Sequence, residues 1–150
     1  MEEVIEGELE EKTITYLAFD PGETTGVAEF NSVGALLDMH QLKIDALLDY
    51  LADMKFKPKT IIIEEYKIFA HKAKAHTNSK VPTIQVIGMI KSYAHRWGSA
   101  VVEQPSQAKV LGYKLSNTKQ AKDHKFSHQL DAYVHGYYHL IKHGVITPKP

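Results

Sequence analysis

The sequence predicts an α/β domain built on a mixed five-stranded sheet, and three observations carry that expectation. Residues 13–42 hold three extended runs separated by turns so short that each run must return antiparallel to the last. A helix-period stretch then leads to residues 60–63, Thr-Ile-Ile-Ile, an unbroken β-branched run of the kind that is covered on both faces. Two further helical patterns, at 82–97 and 126–143, bracket a fifth extended run at 99–103.

The first strand, residues 13–20, ends in Asp20; Pro21 and Gly22 force a turn, and residues 26–30 restart the extended pattern. Neither Gly22 nor Gly26 carries a Cβ, so an anion or ion could approach the backbone beside Asp20. Equally, Asp20 can serve only to open an Asp-Pro-Gly turn. A third strand at 35–42 follows Asn31 and Gly34. From Asp45, the residues Ala46, Leu47, Tyr50, Leu51 and Met54 recur three and four apart, which is one face of a helix, and the segment 55–59 with Pro58 ends it.

Because a helical crossover joins it to the hairpins, the strand at 60–63 is expected parallel to the first strand and beside it. That places Glu64 at the same sheet edge as Asp20. Residues 66–80 carry four lysines, two histidines and two aromatics and read as a basic loop, with Lys72, Lys74 and Lys80 suited to phosphates and Tyr66 and Phe69 to stacking on bases. Pro82 suits the first position of a helix whose apolar face, Val86, Ile87, Ile90, Tyr93, Ala94 and Trp97, is either core or a subunit contact. A short helix at 106–111, a basic loop at 112–125 and a helix at 126–143, closed by Gly144, complete the chain.

At 150 residues and 43% hydrophobic composition, one domain with a real core is expected: residues 13–150, preceded by an acidic flexible tail at 1–12. With no cysteine, disulfides and thiolate metal sites are excluded, so any metal must be held by oxygen or imidazole. No apolar run approaches a membrane span, and the acidic start is the wrong sign for a signal peptide, so a cytoplasmic protein without membrane attachment is expected. The net charge of zero hides an asymmetry: residues 55–125 hold 14 bases against four acids, a balance that favours a polyanionic partner.

On the last helix His128 and Asp131 lie three apart and share a face, which His124 extends backwards and His135 forwards. Should that face meet Asp20 and Glu64, three carboxylates and an imidazole would suit a hard divalent ion such as Mg²⁺, with Mn²⁺ able to substitute. Two such ions could flank a scissile phosphate. The plainer reading makes Glu64 and Glu65 strand-end charges facing water and assigns His139 and His143 to the helix C-terminal dipole. A mid-helix Asp131 within an apolar stretch resists that reading, because buried charge needs a partner.

Four stretches in order, FDPGETTG at 19–26, IIIEEY at 61–66, VVEQPSQAKVLG at 101–112 and HQLDAY at 128–133, resemble the RuvC family of Holliday-junction resolvases over nearly the whole chain. The resemblance implies an RNase H-like fold with helices on both faces of the sheet. It also implies a homodimeric, two-metal endonuclease that resolves four-way junctions or other branched DNA and uses no small-molecule cofactor. Asp20, Glu64 and Asp131 match the family's catalytic, metal-binding acids, and His128 stands where members carry aspartate or histidine, as a metal ligand or a proton carrier. Lys109 and Lys119 fall near lysines that approach DNA phosphates, and Tyr66 or Phe69 near the aromatic that stacks at the crossover. The compact chain resembles bacteriophage members, which act in the host cytoplasm. Two other readings share these residues: a catalytically silent branched-DNA-binding protein of the same fold, and, through DPGETTG alone, the phosphate loop of actin-like kinases.

Overall fold

The computed structural model describes residues 11–66, 73–120 and 127–148, and for residues 73–80 the backbone alone. Most of the predicted tail, together with Phe69, Lys72 and His124, lies outside the described residues, as do the side chains of Lys74 and Lys80. Five strands, β1 (Tyr16–Asp20), β2 (Thr24–Phe30), β3 (Leu36–Lys43), β4 (Thr60–Glu64) and β5 (Ala100–Gln104), form one sheet in the order β3-β2-β1-β4-β5. The first three are antiparallel, while β4 runs parallel to β1 and β5 parallel to β4. Helices α1 (Ile44–Ala52), α2 (Ala73–Trp97), α3 (Ser106–Ser116) and α4 (Ser127–Lys142) connect and follow the later strands.

Strand alternation divides the sheet into two faces. Leu17, Phe19, Val27, Ile61 and Ile63 pack with Leu47 and Leu51 of α1 and with Val86, Ile90 and Ala94 of α2. The other face presents Ala18, Ala28, Phe30 and Ile62 to Ala132 and Leu140 of α4. Small residues on this second face bring α4 close: a Cβ at Gly136 would lie 2.4 Å from the Phe30 ring. Asp20 and Glu64 continue the Ala18 and Ile62 rows, so both end on the α4 face.

Three expectations require correction. Helix α2 begins at Ala73, so residues 73–80 are helical rather than loop, and Pro82 lies inside the helix instead of starting it. Proline deletes one amide donor and crowds the preceding turn, a local cost outweighed by the burial of Val86, Ile90 and Ala94 against the sheet. That burial also removes those three side chains from any subunit contact; among the described side chains of this helix Val81 and Ile84 are the exposed large apolar ones. Finally, α3 continues through residues 112–116, where a loop was expected. It closes on Asn117 in the left-handed conformation, with the Thr118 amide donating to the Tyr113 carbonyl at 3.1 Å. The same closure ends α2 at Gly98 and α4 at Gly144, each with positive φ.

Candidate active site

Parallel pairing of β1 with β4 sets Phe19 beside Ile63, so Asp20 and Glu64 leave the sheet at neighbouring strand ends. Helix α4 must then cross close above them, and Gly26 permits this. In register with Asp20 on β2, it lies so near the helix that a Cβ there would stand 1.8 Å from the His128 carbonyl oxygen. The space that glycine leaves is therefore filled by the helix backbone, not held open for an ion as the sequence suggested. Gln41, paired with Gly26 from β3, completes the row: its Oε1 accepts the His128 and Gln129 amides at 3.1 and 3.2 Å, satisfying donors that a helix start leaves unpaired.

Anchored in this way, α4 delivers His128 and Asp131 to the strand ends. The His128 Nδ1 is 3.0 Å from Asp20 Oδ2. Tyr113 of α3 donates its hydroxyl to Asp131 Oδ1 at 2.5 Å. The Lys109 ammonium lies 3.8 Å from Glu64 Oε1 and 3.8 Å from Asp131 Oδ2, drawing those two carboxylates to one point. Behind Glu64, the fully buried His135 places Nε2 3.8 Å from its Oε1 and Nδ1 2.9 Å from the Gln104 side-chain oxygen.

Burial raises the Asp20 carboxyl above its ordinary value; the His128 hydrogen bond opposes this, and the negative fields of Asp131 and Glu64 add to it. On its side, His128 is raised chiefly by that hydrogen bond, against the effect of burial. Burial, followed by the bond to Asp131, lifts the Tyr113 phenol, which stays protonated and donating. Buried Asp20 and half-buried Glu64 and Asp131 thus lie in one another's negative field, with the Lys109 ammonium beside the last two. Such a donor set, all oxygen and imidazole, fits a hard divalent cation, and the Lys109 ammonium already occupies a cation's place between two of the acids.

The other residues singled out in the sequence are distributed as follows. Glu65 ties β4 to β5, its amide donating to the Gln104 carbonyl at 2.6 Å. Tyr66 lines a cleft of about 170 Å³ with Glu64, Ile84, Ile87, Lys91 and Glu103. Lys119 is exposed just beyond α3, whereas Lys109 sits among the acids rather than out on the surface. His139 is buried, and burial lowers it to about 4, so it is neutral and is no cation for the helix dipole. Gln41, Tyr113 and Gln104 escaped the sequence reading: nothing in spacing marks them, and only the strand register and the packing of α3 on α4 bring them in.

With the strand order, the two acids on adjacent parallel ends and the helix above them in place, comparison with solved structures is informative. The fold is that of RuvC. The Thermus thermophilus RuvC in complex with a Holliday junction substrate superposes with a TM-score of 0.62 at 15% identity, covering 91% of this chain and 99% of that one. A second Thermus thermophilus RuvC structure gives 0.52 at 16% identity, over 89% and 99%. No family profile and no curated protein matches the chain. Among the described residues no helix is long and apolar enough to cross a membrane.

A second cluster lies on the opposite face of this RuvC-like sheet. Glu29, Asp38 and His40 bring one ligand atom each within 4.8 Å of one another. The His40 Nε2 stands 3.0 Å from Glu29 Oε2, to which the Tyr50 hydroxyl also donates at 2.5 Å. These groups sit beneath α1, away from the strand ends.

Proposed function

We propose that the protein is a metal-dependent endonuclease that nicks four-way or other branched DNA at symmetry-related strands. The observation that carries this reading is the convergence of Asp20, Glu64 and Asp131, from β1, β4 and α4, at the strand ends of a RuvC-like sheet, with Lys109 between Glu64 and Asp131 and His128 on Asp20. Asp20, Glu64 and Asp131 would hold two Mg²⁺ or Mn²⁺ ions. Such ions neutralise the scissile phosphate and make a bound water nucleophilic at neutral pH.

The chain's own residues set up the rest. Asp20, accepting the Nδ1–H of His128, fixes the ring so that Nε2 is presented to pass a proton, a role in which the imidazole need not ligate metal. Tyr113 holds Asp131 by a charge-assisted hydrogen bond. Lys109 offsets part of the negative charge of Glu64 and Asp131, and with metal bound there its chain could reach a DNA phosphate, to which Lys119 and the lysines of 72–80 would add attraction. Nicks on opposed strands call for two sites, hence a homodimer, with Val81 and Ile84 on the outward side of α2 as contact residues. Action in a host cytoplasm, on DNA of bacteriophage origin, is part of the same proposal.

The test is cleavage of a labelled four-way junction beside linear duplex, with Mg²⁺, Mn²⁺ or EDTA. Paired, metal-dependent nicks near the branch are expected, and Asp20→Asn should reduce them by at least about 10²-fold. Equal cutting of duplex would make the protein a general nuclease. Junction binding without cutting under either metal would make it a silent DNA-binding protein.

A further inference from the structure

The geometry points to His135 as the positioning residue of Glu64, an inference that rests on the metal-nuclease reading. His135 follows Asp131 by four residues and so shares its helix face. Its side chain is wholly buried, yet Nε2 has no hydrogen-bond partner among the described residues and faces Glu64 Oε1 at 3.8 Å. Gln104 fixes the ring from the other side: it is buried, pairs with Glu64 in the β4–β5 register, and contacts Nδ1 at 2.9 Å. Glu64 is thereby bracketed, with the backbone of β5 behind its strand end and an imidazole behind its carboxylate.

The chemistry selects one tautomer. An ionised carboxylate can only accept, so the nitrogen facing it must be the donor, Nε2–H. Nδ1 then accepts from Gln104, whose amide reaches the same heavy-atom positions with its nitrogen and oxygen exchanged. At 3.8 Å the contact to Glu64 is longer than a hydrogen bond. Lys109 lies 3.8 Å from the same oxygen, so Oε1 stands between two donors. With a cation in place of the Lys109 ammonium, Oε1 would be left to accept from the His135 Nε2–H, which would hold the carboxylate in one orientation. His139, one turn further along the helix, is the internal contrast: it too has an unmatched buried nitrogen, but among the described residues it faces Tyr16 and His143 and no carboxylate.

Two substitutions separate the two ring nitrogens. The side-chain amide of Asn falls near Nδ1, where its oxygen can accept from Gln104, and the amide nitrogen of Gln falls near Nε2, so His135→Asn keeps the Gln104 contact while His135→Gln keeps the donor to Glu64. Mn²⁺ affinity of the full chain, read by calorimetry without DNA, is expected to weaken about 10–100-fold in His135→Asn and to stay within about threefold of wild type in His135→Gln. Junction cleavage should follow in kcat with KM for DNA unchanged. In wild type, nitrogen NMR of the histidine ring should place the proton on Nε2. Equal Mn²⁺ affinity in both variants, equal loss in both, or a proton on Nδ1 would each overturn the inference, and the NMR arm decides should either variant fail to fold. Asp20→Asn run in parallel separates the two readings: if it binds Mn²⁺ like wild type, the metal site itself is wrong, whereas loss there with none in His135→Asn rejects only the role of His135.

Discussion

The two faces of the sheet each carry a cluster of carboxylate, imidazole and phenol, and the local contacts nearly coincide. On the α4 face His128 approaches Asp20 at 3.0 Å and Tyr113 approaches Asp131 at 2.5 Å; on the α1 face His40 approaches Glu29 at 3.0 Å and Tyr50 approaches the same carboxylate at 2.5 Å. The difference lies in how many acids are brought together out of water. Beneath α1, the one half-buried acid has both an imidazole and a hydroxyl, and its neighbour Asp38 is largely in water and accepts the Met39 amide. At the strand ends, buried Asp20 and half-buried Glu64 and Asp131 converge, and among the described residues one ammonium lies 3.8 Å from two of them. A cluster that satisfies itself holds a fold together. Under the proposed function, a cluster in which three acids converge is completed by the cations it binds.

The sharpest way to break this comparison is at Gly26, which belongs to one cluster only. Gly26→Ala places a methyl on the His128 carbonyl and must push α4 away from Asp20. Loss of roughly 1–3 kcal/mol in denaturant unfolding is expected, together with collapse of junction cleavage. Gly88→Ala, in open space on α2, should cost nothing. Unchanged cleavage in Gly26→Ala would mean that the α4 position is not what assembles the site.

A smaller effect separates the clusters by their answer to metal. Glu29→Gln removes the charge that pairs with His40 and should lower stability by about 1–3 kcal/mol, while leaving the rise in melting temperature produced by Mg²⁺ intact. If Mg²⁺ no longer stabilises this variant, the cation binds beneath α1 and the assignment of the two faces is reversed.

The smallest effect concerns His139, an imidazole with no carboxylate partner, lowered to about 4 by burial first and then by His143 and Lys142. Its folded value lies below the ordinary 6.5, so the unfolded chain binds the extra proton. Stability is therefore full above about pH 6.5 and declines as pH falls towards 4. His139→Leu should flatten that part of the melting-temperature profile relative to wild type. An unchanged slope would show that His139 does not remain neutral in the fold.

Much of the first cluster could be read from the chain, because each acid ends a recognisable pattern. Asp20 closes an apolar run before Pro-Gly, Glu64 closes Ile-Ile-Ile, and Asp131 interrupts the apolar face of a helix. The place of β4, parallel to β1 and beside it, followed from the crossover argument. Its supports could not be read, since Gln41 becomes a helix cap only through register with Gly26, and Tyr113 meets Asp131 only because α3 packs on α4. The residues around Pro82 misled for a different reason: local proline chemistry favours a helix start, and the buried face of α2 outweighs it. The Glu29 cluster stayed hidden because cross-strand opposition of Glu29 and Asp38 is a property of pairing, not of spacing.

The contact between Asp20 and His128 spans 108 positions of sequence, and the row from Asp20 through Gly26 to Gln41 is complete only when the last helix has docked. No shorter piece of the chain can assemble the three acids. Under the proposed function, a nascent or partly unfolded molecule is therefore harmless to DNA, and the ability to cut appears only with the finished fold.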